Sequence, residues 1–170
     1  MEIRRARPAD APAIAEVHVR SWQGAYPGLI PQDYLDALRP EDRVGWWRDA
    51  LATTPWPVVL VAEEDGAVIG FASVSPTRDA DDDSSTVGEL QTIYLHPDAF
   101  GRGKGASLLH AALEVLRTAG FTEATLWALE TNTRARRFYE RHGFVNDGVT
   151  KRHDWIAFVA TDVRYRITLA

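Results

Sequence analysis

The stretch that most constrains this chain is "LHPDAFGRGKGASLLHAALEVLR", residues 95–117. A proline corner is followed by glycines on alternate positions, Gly101, Gly103 and Gly105. An apolar-periodic segment comes next, with Leu108, Leu109, Ala112, Leu113 and Leu116 recurring on one face of a helix from about Gly103 to Thr118. The preceding "TVGELQTIYL" reads as a strand, and the later "EATLWALE" is apolar on both faces, as a central strand covered on each side requires. Strand, helix and strand in this order make a βαβ unit with parallel strands and a right-handed crossover. The helix then begins just past the carboxyl end of the first strand, where free backbone N–H groups and the helix dipole favour an anion. Glycines let a phosphate approach those N–H groups. A glycine loop can also merely turn the chain, but three on alternate positions at a helix start favour the anion site.

The remaining sequence sets this unit in one domain spanning 1–170. A chain of 170 residues with 45% hydrophobic content can build one well-cored domain and is short for two. The net charge of -5 and the lack of a Lys/Arg block argue against a nucleic-acid partner. The acidic run "RDADDDSS", Arg78 to Ser85, reads as a solvated loop. With no cysteine, disulfides, thiolate metal sites and a cysteine nucleophile are excluded. The charged start "MEIRRARPAD" is unlike a signal peptide, and runs such as "PVVLVA" are too short to span a bilayer, so the expectation is a cytoplasmic protein with no membrane partner.

"MEIRRAR" alternates as a short strand. A helix follows from Pro8 to Asp10 onward, with Ile14, Val17 and Trp22 turned inward, and two more begin near "PQDYLDAL" and "PEDRVGWWRDALA". "VVLVAEEDGAVIGFASVSP" predicts two strands joined at Asp65 and Gly66. "NTRARRFYERHGF" predicts a helix capped by Asn132 and ended by Gly143. "NDGVTKRHD" reads as a loop, and "DWIAFVATDVRYRITL" as one long closing strand or two.

"GRGKGA" fits the dinucleotide pattern GxGxxG/A, with Glu130 where a ribose-binding carboxylate would sit. However, "HPDAF" separates strand from glycines, and only 40 residues follow Glu130. The Walker spacing is absent. "IYLHPDAFGRGKGASLL" resembles the acyl-CoA-binding motif of the GNAT superfamily of N-acetyltransferases, and "NTRARRFYERHGF" resembles that family's next motif. The order of elements agrees along nearly the whole chain. One departure is Phe100, at the position where the family usually carries Gln or Arg; Arg102 or Lys104 could compensate electrostatically.

The resemblance implies an α+β (mixed α/β) single domain, with a central mixed twisted sheet of six to seven strands flanked by helices. It also implies transfer of an acetyl group from acetyl-CoA to an amine. The diphosphate would sit on Gly101, Arg102, Gly103, Lys104, Gly105 and Ala106, and the pantetheine arm along Ile93, Tyr94 and Leu95. Asn132 and Arg136, at i and i+4, and Tyr139 at i+7 would share a helix face toward the cofactor. An alkyl ammonium has a pKa of about 10, so attack on a thioester needs a base, and the departing thiolate needs an acid. Glu89 is the candidate base, expected to share a strand face with Val87, Gln91 and Ile93, though it could equally be an edge carboxylate. Tyr139 is the candidate acid.

The family's usual acceptor segments fall here on "SWQGAYPGLIPQDYL" and "NDGVTKRHD", with Trp22 and Tyr26 as pocket walls; aromatics at i and i+4 also commonly belong to a core. The acceptor would be a small-molecule or peptide amine. The five histidines show no metal-site spacing, so no metal is expected. Without a GxSxG elbow, direct attack by the amine is the simpler route. A nicotinamide-dependent oxidoreductase and a non-catalytic acyl-CoA-binding module remain as other readings. A homodimer paired through an edge strand containing "IAFVA" is a further expectation.

Overall fold

The structure, a computed structural model, describes residues 1–154 and 158–170. Strand β1 (Glu2–Arg5) leads through a 3₁₀ turn (Pro8–Asp10) into α1 (Ala11–Ala25), α2 (Gln32–Ala37) and α3 (Glu41–Ala52). The hairpin of β2 (Val58–Glu64) and β3 (Ala67–Pro76) follows. Asp65 and Gly66 at its turn both have positive φ, 51° and 78°, which matches the twist of the flanking strands. Next come β4 (Val87–Leu95), a second 3₁₀ turn (Pro97–Ala99), α4 (Lys104–Thr118), β5 (Glu123–Leu129), α5 (Thr133–Arg141), β6 (Val145–Asp154) and β7 (Val159–Thr168).

The strands form a seven-stranded mixed sheet in the order β1-β2-β3-β4-β5-β7-β6, and only β4 and β5 are parallel. On one face, Leu108, Leu109, Ala112 and Leu116 of α4 pack on Leu60, Ala72, Leu90 and Leu126, so the predicted stripe is the core stripe. On the other, Ile14 and Val17 of α1 and Trp47 of α3 pack on Val59, Val61 and Phe71.

The sheet differs from the sequence reading at its far edge. "NDGVTKRHD" is not a loop: it forms most of β6, because hydrogen bonding to β7 overrides its weak strand propensity. Gly148, with φ 85°, sits where the β6–β7 register shifts. Part of the expected dimer edge, Ile156 and Ala157, lies outside the described residues; Val159 and Ala160 belong to β7, which is flanked on both sides. The outer strand there is β6, and the β5–β7 ladder ends at Leu129↔Asp162, so Val159 and Ala160 pair with β6 alone.

The acidic loop is also not simply solvated. Asp79, Asp81, Asp82 and, from β6, Asp147 converge on the buried Arg164 of β7 at 2.7–3.4 Å, and Asp82 also pairs with Arg166 at 2.9 Å. Asp79 accepts a hydrogen bond from Trp127 Nε1 at 3.0 Å. The loop is thus tied to the strands beside the β4–β5 junction.

His18 of α1 is buried among aromatic rings, stacked on Tyr94 at 5.4 Å, and its Nδ1 accepts from Trp47 Nε1 at 3.1 Å. Burial first, then the charge of Arg43, pushes its pKa down to about 3 from 6.5. Between these values the unfolded chain binds a proton that the folded chain refuses, so the stability present above pH 6.5 is lost as pH falls. At about pH 4.5 the loss should be roughly 2–3 kcal/mol from this residue alone. Denaturant unfolding of wild type and His18→Gln at several pH values checks this, and the variant should show a shallower decline.

Candidate active site

The site begins where the two parallel strands part. β4 and β5 pair only from Val87↔Glu123 to Leu90↔Leu126, although both strands continue beyond. The cause lies in β4. Leu90 faces Val74 and Thr92 faces Ser73, so Gln91 is an extra residue, a bulge held by a bond from Gln91 Nε2 to Ser75 Oγ at 2.8 Å. Past the bulge the two strands diverge and leave a cleft of about 790 Å³ lined by Leu90–Leu95 on one side and Leu126–Leu129 on the other. The bulge also overturns the expected alternation: Ile93 packs toward the α4 core while Tyr94 packs toward the α1 core, so Glu89, Gln91 and Ile93 do not share a face.

At one end of the cleft stands the glycine loop. Gly101 and Gly103 have φ of 76° and 72°, and a Cβ added at either would meet nothing within 4 Å, so these glycines serve backbone conformation and an open approach. Gly103 is the N-cap of the 15-residue α4, and Ala106 is the first helical amide with a backbone partner, Gly103 O at 3.1 Å. The amides ahead of it, at the positive end of the helix dipole, remain for an anion. Gly101, Gly103 and Gly105 line the cleft, as do Ile93, Tyr94, Leu95 and Asn132.

Four sequence-predicted cofactor residues stand outside the lining. Arg102 is exposed, and Ala106 lies in the first turn of α4. Lys104 is ion-paired with Glu64 of β2, which ties the loop to the sheet. Arg136 donates to Tyr165 Oη and to Glu130 O, both at 2.9 Å, so it braces α5 against β7 and the end of β5 instead of facing a ligand. Asn132 uses its side chain as the helix cap, accepting from Ala135 N at 3.1 Å.

Sequence reasoning missed Arg134 and Arg141, which bring positive charge to the lining, with Arg134 stacked over the Phe100 ring at 4.6 Å. Both sit in the "NTRARRFYER" run, whose positive charge was the available signal. Phe100 therefore holds an arginine over the loop although it cannot make a polar contact itself.

Deeper in, Tyr139 of α5 lines the cleft against Phe138, Phe144 and Tyr165. Burial pushes its phenol well above the usual range, and among the described residues its hydroxyl makes no hydrogen bond. Glu89 also borders the cleft, but both carboxylate oxygens are engaged: Arg78 donates to it from Nη2 at 2.6 Å, from Nε at 3.0 Å and from its backbone N at 3.2 Å. A carboxylate so occupied anchors Arg78.

Trp22 and Tyr26 line the opposite wall, edge to face at 4.9 Å. Burial, the nearby Tyr94 hydroxyl, Tyr139 and Asp162 all raise the Tyr26 phenol above its ordinary value. The remaining wall comes from β6 and β7, through Lys151, His153 and Asp162, with Phe158 beside them. Lys151 and His153 belong to "NDGVTKRHD", the segment expected at the acceptor end, whereas Asp162 and Phe158 were not singled out, because nothing in their local spacing shows that β7 closes the cleft.

A dinucleotide site does not fit. The sheet is mostly antiparallel with a single parallel pair, whereas dinucleotide folds use two mononucleotide-binding halves of parallel strands. The triplet Asp79, Asp81 and Asp82, close enough together to suggest a cation, surrounds the Arg164 guanidinium. Among the described residues no helix is long and apolar enough to cross a membrane.

Comparison with known proteins points one way. Residues 13–144 match the Acetyltransferase (GNAT) family. The uncharacterized N-acetyltransferase YuaI of Bacillus subtilis is 35% identical over 76% of this chain and 72% of its own. The L-amino acid N-acyltransferase MnaT of Escherichia coli is 32% identical over 85% of this chain and 80% of its own. Among solved structures, the PaiA N-acetyltransferase of Thermoplasma acidophilum in complex with coenzyme A superposes with TM-score 0.77 at 22% identity, covering 98% of each chain. The yncA acetyltransferase of Salmonella typhimurium with acetyl-CoA gives 0.74 at 22%, covering 100% of this chain and 94% of that one.

Proposed function

Because the chain belongs to the Acetyltransferase (GNAT) family, we propose that it takes an acetyl group from acetyl-CoA and passes it directly to an amine within the β4–β5 cleft. The observation that carries this reading is the parting of the two parallel strands beside a glycine loop at a helix N-terminus. It offers one open strand edge and one anion cradle in line.

In this reading the amides of Gly101 to Gly105 hold the diphosphate, aided by Arg134 and Arg141, and the free edge of β4 at Ile93 to Leu95 pairs with the pantetheine arm. Acetyl-CoA supplies an activated acyl carbon and a thiolate leaving group. Tyr139 holds a proton at its hydroxyl for the departing sulfur, and its raised pKa keeps that proton in place across the working pH range. Glu89 keeps Arg78 in position at the cleft margin. Trp22 and Tyr26 wall the acceptor end, and the acceptor is a small-molecule or peptide amine.

Incubating the purified protein with acetyl-CoA and a panel of primary amines, and following free thiol, tests the proposal. Amine-dependent CoA release is expected, and binding of acetyl-CoA with no release for any amine would favour a binding module. The cradle is testable separately. Gly103→Val forces a branched side chain into left-handed backbone at a cost of ~1–2 kcal/mol, and acetyl-CoA affinity by calorimetry should fall roughly tenfold. Unchanged affinity would remove the loop from the cofactor site.

A further inference from the structure

We propose that Asp162, held by His153, is the group that receives the acceptor's ammonium and takes its proton, so the acceptor is a primary amine with an aromatic or apolar substituent. This rests on the acetyl-transfer reading and names the catalytic base and acceptor class of that same cleft.

Among the described residues, the carboxylates lining the cleft are Glu89 and Asp162. Arg78 occupies both oxygens of Glu89. Asp162 sits on β7 opposite Leu129, the last residue of β5, where the two parallel strands have already parted. Its neighbour across the β6–β7 ladder is Lys151, and His153 reaches it on the diagonal, with Nε2 2.9 Å from Oδ2. One carboxylate oxygen is thereby fixed, leaving Oδ1 for a ligand.

The groups facing Asp162 come from every side of the cleft. They are His153 and Lys151 from β6, Tyr26 after α1, and Tyr94 from β4. Tyr139 from α5 shares the Tyr26 environment with it. Lys151 is engaged with the Trp127 ring at 5.0 Å. Burial outweighs the opposing pull of His153 and Lys151 and holds the Asp162 carboxyl above its ordinary pKa, which makes it a stronger base than an ordinary aspartate. With Trp22, Tyr26 and Phe158 on the surrounding wall, the site joins one carboxylate to aromatic surface, the combination that suits an ammonium on an apolar stem.

The proton balance closes. The ammonium gives one proton to Asp162, the freed lone pair forms the N–C bond to the acetyl carbon, and the C–S bond breaks. Sulfur takes the Tyr139 phenolic proton, the second proton lost by nitrogen restores the phenol, and Asp162 returns its proton to solvent.

The test uses two probes with acetyl-CoA: phenethylamine, an ammonium at neutral pH, and hydroxylamine, already unprotonated there. Wild type should acetylate both. Asp162→Asn should lose roughly 10²–10⁴-fold in kcat/KM for phenethylamine, the scale of a missing general base, yet stay within about threefold for hydroxylamine, with melting temperature and acetyl-CoA affinity kept. His153→Gln should shift the same ratio in the same direction by less. Equal loss on both probes, an unchanged phenethylamine rate, or a wild type that acetylates hydroxylamine but not phenethylamine would each overturn the proposal. A wild type that fails to bind acetyl-CoA would bring down the acetyl-transfer reading itself.

Discussion

Tyr139→Phe is expected to lower turnover by roughly 10²–10⁴-fold while leaving acetyl-CoA affinity unchanged. The substitution removes one hydroxyl and keeps the ring. The contacts of that ring with Phe138, Phe144 and Tyr165, at centroid distances of 5.4–6.3 Å, therefore persist and the helix should hold its place. Because the hydroxyl bonds nothing else among the described residues, its loss leaves no partner unsatisfied, and a fall in rate can be assigned to the chemistry. Steady-state kinetics beside calorimetry separates the two effects. A wild-type rate would remove Tyr139 from the mechanism.

The second large effect is structural. Arg164 is 4% exposed at its side chain and neutralises Asp79, Asp81, Asp82 and Asp147 together, with its guanidinium also 5.7 Å from the Trp127 ring centroid. Arg164→Met keeps much of the volume and removes the charge, leaving partly buried carboxylates facing one another. A loss of about 3–5 kcal/mol is expected from denaturant unfolding, the range found when one partner of a buried ion pair is deleted. The same loop carries Arg78 to Glu89 and Asp79 to Trp127, both at the cleft margin, so activity should fall along with stability. A loss under about 1 kcal/mol would mean that the cluster behaves as an ordinary surface network.

Local signals in the sequence carried much of this arrangement. The glycine loop, the α4 stripe and the Asp65–Gly66 turn depend on residues close in sequence, and each formed as expected. Asn132 was legible as a helix cap for the same reason. What stayed hidden depends on partners far along the chain. The bulge at Gln91 is fixed by pairing with β3, and it separates Glu89 and Ile93, which were expected on one face. The strand character of residues 145–154 comes from β7, against the Asn, Asp and Gly content of the segment. Arg136 has the right helical spacing for the cofactor face, but Tyr165 and Glu130, remote in sequence, draw it away. Asp79 and Asp82 looked solvated because Arg164 and Arg166 lie more than eighty residues downstream. Asp162 and His153 reach the cleft only through the ladder between the last two strands.

The central claim is direct transfer: amine and acetyl-CoA occupy the cleft together, and no acetylated protein intervenes. A grid of initial velocities with acetyl-CoA varied against an amine acceptor tests it most directly. Intersecting reciprocal plots, with the mass of the protein unchanged after acetyl-CoA alone, are the predicted result. Parallel plots accompanied by an acetylated protein would contradict it, since that pattern requires the acetyl group to rest on a side chain between two half-reactions.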